Sequence, residues 1–294
     1  MKGIILAGGA GTRLYPLTMV TSKQLLPVYN KPMIFYPLST LMLAGIRDIL
    51  IISTPVDTPN FIRLLGDGSD YGVNISYAVQ PSPDGLAQAF IIGEEFIGDD
   101  ECAMVLGDNI FYGGGLIERL KKARENAENG YATVFGYYVD DPERFGIMEI
   151  DESENILSVE EKPINPKSNY CITGLYFYPK GVANKAKLIK PSKRSELEIT
   201  SLNDIYLKEK SLKGIVLGRG FAWFDTGTID SLIETAVFVQ VTEKRTGAII
   251  SAPEEIAFKN GWINKDELMH SSKKYGKSPY GKHLENIAIK KFKY

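Results

Sequence analysis

The chain is 294 residues long and 44% hydrophobic, enough to bury a sizeable core as one large α/β domain or a domain with an appendage. Its formal net charge of -2 argues against a nucleic-acid scaffold, because meeting a polyanion usually requires a basic face. His270 and His283 are the only histidines, which all but excludes a histidine-based zinc site or a Ser-His-Asp triad and leaves catalysis to carboxylates, cations and a hard metal.

An apolar run, Gly3–Ala7, opens the chain as a buried strand and breaks into Gly8-Gly9-Ala10-Gly11-Thr12-Arg13-Leu14, with Lys23 ten residues beyond Arg13. The loop is no Walker A, since no Gly-Lys-Ser/Thr closes it, and Leu14 stands where a dinucleotide loop would carry its third glycine. It suits a triphosphate held by backbone N–H groups and an arginine. Further strands are predicted over Asp48–Ser53, Val73–Val79 and Cys102–Leu106, with helices over Pro32–Ala44, Gly85–Phe96 and Leu116–Ala127. This is the rhythm of a largely parallel sheet covered on both faces.

From Tyr131 to Tyr178 the rhythm changes. Ala132–Val139, Gly146–Ile150, Ile156–Val159 and Thr173–Tyr178 predict added antiparallel strands that form a lid or floor beside the nucleotide site. After Asp225-Thr226-Gly227-Thr228 the chain reads as helical through Ile229–Arg245, and the tail to Tyr294 as short helices with Lys-rich faces. Cys102 and Cys171 each lie in an apolar segment, so reduced buried thiols are expected. With no bilayer-spanning run and no cleavable signal pattern, the expected location is the cytoplasm.

In an open α/β sheet ligands bind beyond the carboxyl ends of strands, so the residues there are the first candidates for function. In Gln80-Pro81-Ser82-Pro83-Asp84-Gly85-Leu86-Ala87, the Gln80 amide can match O4 and N3–H of thymine or uracil. Gln80 reads equally as a solvent-facing loop residue, and Asp84 as a turn residue capping the next helix. Asp108, directly after an apolar strand, is placed to bind Mg²⁺ or to cap a turn or the helix beyond Gly113-Gly114-Gly115. Asp225 is a second such acid, or the N-cap of the helix that follows. Two acids at strand ends beside a phosphate-type loop make an Mg²⁺ site reasonable. In Glu160-Glu161-Lys162-Pro163, Lys162 could hold a substrate phosphate while Glu161 accepts from sugar hydroxyls; the run also reads as a solvated charge cluster before a turn.

As a set, Gly-Ile-Ile-Leu-Ala-Gly-Gly-x-Gly-Thr-Arg-Leu and Ser-Lys-Gln-Leu-Leu-Pro resemble the sugar nucleotidyltransferases. Later blocks resemble the glucose-1-phosphate thymidylyltransferase branch: Gln80–Ala89, Leu106–Tyr112, Asp141–Gly146, Glu160–Pro163, Lys167–Tyr178, Glu196–Thr200, Ala222–Thr228, Ala252–Ala257 and Gly261–Ile263. The resemblance implies a Rossmann-like three-layer α/β/α core over residues 1–240 and a C-terminal helical region over 241–294 with oligomer and regulatory contacts. It implies that Gly8, Gly9, Gly11 and Thr12 cradle the phosphates, that Arg13 and Lys23 neutralise triphosphate and pyrophosphate, and that Gln24, Gln80 and Gly85 contribute to the nucleotide site. Asp108 and Asp225 would bind Mg²⁺. Asn109, Gly146, Glu161, Asn169 and Gly174 would line the glucose pocket, with Lys162 on the sugar phosphate. Three positions depart from the family pattern: Asn30 for Asp, Ser195 for Gly and Ser201 for Asp. Ser195 would remove a glycine's access to positive φ on the sugar side.

With no histidine near the motifs and no cysteine in an electropositive loop, a covalent enzyme intermediate has little support and direct displacement fits better. Glucose 1-phosphate would attack the α-phosphorus of dTTP, and Arg13, Lys23, Lys162 and Mg²⁺ would act by charge neutralisation and in-line positioning. A uridylyltransferase is the alternative enzyme, since thymine and uracil share the edge Gln80 would read; a non-catalytic nucleotide-sugar-binding subunit is the alternative class. The resemblance also implies a homotetramer and a second nucleotide-binding site with Gly115, Arg219, Glu255 and Ile256, where a dTDP-sugar such as dTDP-rhamnose would inhibit. The alternative for those residues is simple packing of the tail against the sheet.

Overall fold

The structure, a computed structural model, describes residues 1–290. Its strands are β1 (Lys2–Ala7), β2 (Pro27–Val28), β3 (Lys31–Pro32), β4 (Asp48–Ser53), β5 (Asn74–Val79), β6 (Cys102–Leu106), β7 (Asn109–Gly113), β8 (Ala132–Tyr138), β9 (Gly146–Ile150), β10 (Ile156–Glu161), β11 (Tyr170–Tyr178), β12 (Leu212–Leu217) and β13 (Phe221–Asp225). The α-helices are α1 (Phe35–Leu43), α2 (Thr58–Leu65), α3 (Gln88–Ile92), α4 (Glu94–Ile97), α5 (Leu116–Glu128), α6 (Val182–Ala186), α7 (Ile199–Lys208), α8 (Ile229–Thr246), α9 (Pro253–Lys259), α10 (Lys265–Lys274) and α11 (Pro279–Ala288).

Strand β1 reads as an unbroken apolar run because both of its faces are buried. Ile5 and Ala7 pack in a cluster with α1 and α5, whereas Ile4 and Leu6 point the other way into a cluster with α3, α6 and α7. The main sheet runs β10-β9-β11-β6-β1-β4-β5, with β8 paired to β11 and β12 paired to β8. Its central pairs β6–β1, β1–β4 and β4–β5 are parallel. The chain adds β4 and β5 on one side of β1 and then returns to lay β6 on the other, so the β1–β6 crevice is a topological switch point, where such sheets bind ligands.

The strands between residues 132 and 178 are not a separate lid. Strand β11 joins the main sheet antiparallel to β6 and to β8, and β9–β10 extend the same sheet outward, forming one wall of the site. The predicted helix over residues 85–96 begins only at Gln88, beyond Gly85, whose φ of 113° no helix accommodates, and it is divided at Gly93. The helix predicted from Pro32 begins at Phe35, since Lys31 and Pro32 pair with β2. Strands β7, β12 and β13 were not among the predicted elements; β7 and β13 pair antiparallel in a sheet of their own, with Asp225 opposite Asn109.

Two buried acids tie the outer helices down. Glu243 on α8 accepts from Asn30 Nδ2 at 2.7 Å, from Lys31 Nζ at 3.3 Å and from the Ile250 N–H at 3.0 Å. Burial lowers the Lys31 pKa to about 8 against the pull of Glu243. Asn30, where the family pattern carries Asp, thus supplies a donor to a carboxylate. Glu254 on α9 accepts from the Tyr275 and Tyr280 hydroxyls at 2.7 and 2.6 Å, and Tyr280 stacks on Phe35 of α1 with ring centroids 6.5 Å apart. The C-terminal helices therefore share the core of the sheet's α1 face.

Candidate active site

Beyond the carboxyl end of β1, Gly8 and Gly9 line a cavity of about 340 Å³ together with Arg13, Lys23, Gln24, Gln80, Gly85 and Leu86. Its floor is tight. A methyl group on Gly8 would lie 2.4 Å from Gln80 Oε1, and one on Gly85 would lie 2.4 Å from the Leu197 backbone. At Gly85 the glycine is required twice over, by this approach and by its positive φ, and the loop is clamped there by Leu197 N–H to the Asp84 carbonyl (2.6 Å) and Ala87 N–H to the Leu197 carbonyl (3.1 Å). Gln80 is buried and its Nε2 donates to Gln88 Oε1 at 2.7 Å, so it is not a solvent-facing loop residue. Asp84 does not cap α3, whose N-cap position is Ala87.

A second cavity, of about 540 Å³, opens from the first and shares Arg13, Leu86, Leu106, Asp108 and Glu196 with it. Asp108 sits at the junction. Its carboxylate pairs with Lys23 Nζ and accepts from Asn109 Nδ2 at 3.1 Å. Burial opposes its ionisation, yet the Lys23 ammonium and these hydrogen bonds outweigh burial and hold the carboxyl below the usual range. Asp225 goes the other way. Burial raises its pKa, the Asp108 charge adds to the rise, and Lys23, Arg13 and Arg144 oppose it. The two acids are brought side by side by Thr226, whose N–H and hydroxyl both donate to the Asp108 carbonyl, at 3.2 and 2.8 Å. Asp225 is not the cap of α8; Thr228 holds that place in a reciprocal capping box with Ser231. Arg13 crosses Gly227 beside Asp225, since a methyl there would lie 2.9 Å from Arg13 Nη2 and 3.0 Å from Asp225 Oδ1.

The far end of this cavity is built by β9, β10, β11 and the start of α7. Glu161 accepts from Thr200 Oγ1 at 2.5 Å and lies 3.5 Å from Arg194 Nη1. Burial raises the Glu161 pKa, with the Glu198 charge adding to it and Thr200, Lys162 and Arg194 opposing. Lys162 lines the cavity from a left-handed backbone (φ 44°) that is held by its N–H donating to the Phe145 carbonyl at 3.0 Å, and such a conformation in a non-glycine residue costs on the order of 1–3 kcal/mol. Asn109 Oδ1 takes both the Trp223 Nε1–H (2.6 Å) and the Gly174 N–H (3.0 Å), which leaves its amide N–H₂ facing Asp108. Gly146 lies where a methyl would sit 2.9 Å from Thr200 Oγ1 and 3.1 Å from Glu161 Oε2.

Most of the residues singled out from the sequence therefore converge on two joined cavities. Gly11 and Thr12 lie in the turn before Arg13, where the Gly11 carbonyl accepts from Thr18 Oγ1 at 2.7 Å, and they line neither cavity. Asn169 lines neither; its Nδ2 donates to the Val139 carbonyl at 2.7 Å. Arg144, Arg194, Glu196, Thr200 and Trp223 line the larger cavity without having been singled out, although each falls within or beside a block that carries the family resemblance. A separate cavity of about 520 Å³ is lined by Gly115, Glu255 and Ile256, and Arg219, exposed between β12 and β13, is not part of its lining. Glu255 there is held by His283 Nε2 at 2.6 Å and Lys259 Nζ at 2.7 Å. Cys102 and Cys171 are buried free thiols, and burial pushes the pKa of Cys171 up to about 12. Among the described residues no helix is long and apolar enough to cross a membrane.

A sheet with a parallel centre thus carries a glycine loop, two acids and two cations at its switch point, and the chain belongs to the nucleotidyl transferase family: residues 2–242 match the Nucleotidyl transferase model. Within it, the chain belongs with the glucose-1-phosphate thymidylyltransferases. It is 59% identical over 287 residues to the glucose-1-phosphate thymidylyltransferase of Neisseria gonorrhoeae (98% of this chain, 99% of the relative) and 56% identical over 284 residues to that of Mycobacterium tuberculosis (97% and 98%). A crystal structure from Bacillus anthracis described under the same name superposes with a TM-score of 0.73 at 42% identity, covering 81% of this chain and 94% of that one. UDP-glucose pyrophosphorylase complexed with UDP-glucose shares the fold at 22% identity, with a TM-score of 0.71 over 82% of this chain and 98% of its own.

Ser195 adopts a φ of 60°, the left-handed region a family glycine would occupy without strain. Ser195→Gly should therefore raise stability by about 1 kcal/mol, read as a higher urea midpoint. An unchanged or lower midpoint would mean that the Ser192–Glu196 turn relaxes the strain.

Proposed function

We propose that the chain transfers a thymidylyl group from dTTP to α-D-glucose 1-phosphate, giving dTDP-glucose and pyrophosphate, as the first step of dTDP-rhamnose or related deoxysugar synthesis. The observation that carries the reading is the junction of the two cavities at Arg13 and Asp108, with a glycine loop and Gln80 on one side and Glu161, Lys162 and Gly146 on the other. One cavity suits a nucleoside triphosphate and the other a sugar phosphate, so their phosphates would meet at the junction. An oxygen of the glucose 1-phosphate phosphate, already anionic and needing no base, attacks the α-phosphorus; the bond to the bridging oxygen breaks and pyrophosphate leaves with that electron pair.

Repulsion between two anions is the chief obstacle, and the residues at hand address it. Arg13 and Lys23 would lie against the triphosphate and the departing pyrophosphate, and Lys162 against the sugar phosphate, neutralising charge and holding the in-line geometry. Asp108 and Asp225 form a pair of hard oxygen donors, and among the described residues no larger cluster of acidic, histidine or cysteine side chains surrounds them. That donor set fits Mg²⁺, which is commonly held by one or two carboxylates plus substrate phosphates. Bound there, Mg²⁺ would supply neutralisation of charge on the transferred phosphate. Gln80 and Gly85 would hold the base, and Glu161 would accept from glucose hydroxyls.

Asp108→Asn and Asp225→Asn are each expected to lower kcat on the order of a hundredfold with the fold intact, since the amide keeps the shape and loses the charge. Pyrophosphate release from dTTP and glucose 1-phosphate should stop in excess chelator and return with Mg²⁺. Turnover that survives chelation would remove the metal role, and a strong preference for UTP at equal concentration would replace the thymidylyl reading with the uridylyl one.

The core over residues 1–240 would carry both substrate sites and residues 241–294 the oligomer and regulatory contacts. We read the cavity lined by Gly115, Glu255 and Ile256 as a second nucleotide-sugar site in a homotetramer, where a dTDP-sugar end product such as dTDP-rhamnose inhibits. Sedimentation should give a tetramer, and Ile256→Arg should weaken inhibition without an equal loss of uninhibited rate. A monomer with purely competitive inhibition would leave this region as packing alone.

A further inference from the structure

A chain of three side chains behind the nucleotide cavity ends on a carboxylate. Asp84 Oδ2 accepts from Ser82 Oγ at 2.5 Å and from Gln88 Nε2 at 2.8 Å. Gln88 Oε1 in turn accepts from Gln80 Nε2 at 2.7 Å. Gln80 is buried, and its Oε1 lies over Gly8 in the cavity floor. Each amide here has two possible orientations, differing only in which end carries the hydrogens. A carboxylate has none to give.

We propose that Asp84 and Gln88 are positioning residues that fix the polarity of Gln80 and so determine which pyrimidine the site takes. The inference rests on the reading that Gln80 faces the base. The Asp84 carboxylate accepts from both Ser82 and Gln88, so Gln88 turns its N–H₂ toward Asp84 and its oxygen toward Gln80. Gln80 must then spend one N–H on Gln88, which leaves its second N–H and its oxygen as a donor–acceptor edge of fixed sense. That edge matches a base with a carbonyl acceptor beside a ring N–H, the O4 and N3–H of thymine or uracil. Cytosine in the same pose offers an amino donor and a bare ring nitrogen, so donor meets donor and acceptor meets acceptor. Accepting it would require Gln80 and Gln88 both to invert, setting an amide oxygen against the Asp84 carboxylate. An unmatched polar edge in a closed site is strongly rejected, which is where discrimination of this kind arises. Asp84 is itself exposed, and this costs the device little, because it acts through the direction of short hydrogen bonds and not through a long-range field.

The test uses the full-length protein with dTTP, dUTP and dCTP, each with glucose 1-phosphate, and reads kcat/KM alongside calorimetric dissociation constants. Asp84→Asn keeps the shape but can offer either an amide N–H₂ or an oxygen, so the chain loses its fixed sense. The dTTP-to-dCTP preference should fall at least tenfold, with the dTTP-to-dUTP ratio, the KM for glucose 1-phosphate and the thermal midpoint unchanged. Gln88→Met, which removes the relay while keeping side-chain length, should do the same. If all three nucleotides weaken in equal proportion, Asp84 merely shapes the loop and the proposal is overturned. If neither variant moves the preference while Gln80→Ala abolishes it, Gln80 reads the base unaided and only the relay fails. If Gln80→Ala leaves the preference intact, Gln80 does not face the base and the reading beneath the relay fails with it.

Discussion

Two carboxylates that would repel one another are held side by side at the end of the sheet, and the pairing of Asp108 with Lys23 is what makes that arrangement stable in the free protein. Asp108 lies one residue beyond β6, and its carbonyl is held by Thr226. Asp225 is placed by the register of β13 against β7. Burial pushes both carboxyls up; at Asp108 the paired Lys23 ammonium and the hydrogen bonds overcome it, whereas at Asp225 the Asp108 charge adds to it and the more distant cations do not reverse it.

The loops that carry chemistry are rigid because they are locked to one another as well as to the sheet. The segment around Gly85 is clamped to Leu197, which leads into α7 and so into Thr200 and the Glu161 carboxylate. Gln24 packs over Gly107, where a methyl would lie 2.8 Å from its Cγ, and this draws the Lys23 segment onto the end of β6. Asn109 joins the Trp223 indole, the Gly174 backbone and Asp108 in one set of hydrogen bonds. The two cavities are thereby coupled through short contacts, which suits the proposed reaction, one that depends on close alignment of two anions.

The sheet's parallel centre was legible from its uninterrupted apolar strands, and the strand-end rule led directly to Gly8, Gln80 and Asp108. Less legible were the elements whose pairing is non-local. Strand β7 carries Asn109-Ile110-Phe111-Tyr112 between glycine-rich turns and needs β13, more than a hundred residues later, before it reads as a strand. Gln80 had a bland reading as a solvent-facing loop residue that only its burial and its bond to Gln88 remove, and Asp225 had one as a helix cap that Thr228 removes. Arg144, Arg194 and Trp223 lie in or beside blocks that carry the family resemblance, but their residue types alone gave no signal beyond charge or size. Their place in the cavity follows from how β9, α7 and β13 converge, a tertiary property that no single window contains.

Direct displacement across the Arg13–Asp108 junction predicts a specific stereochemical outcome. With dTTP made chiral at the α-phosphorus by sulfur substitution, transfer to glucose 1-phosphate should invert configuration, because attack and departure occur once and in line. Retention would require two displacements and hence a covalent enzyme intermediate, and would contradict the junction as the place where the two substrates react with each other.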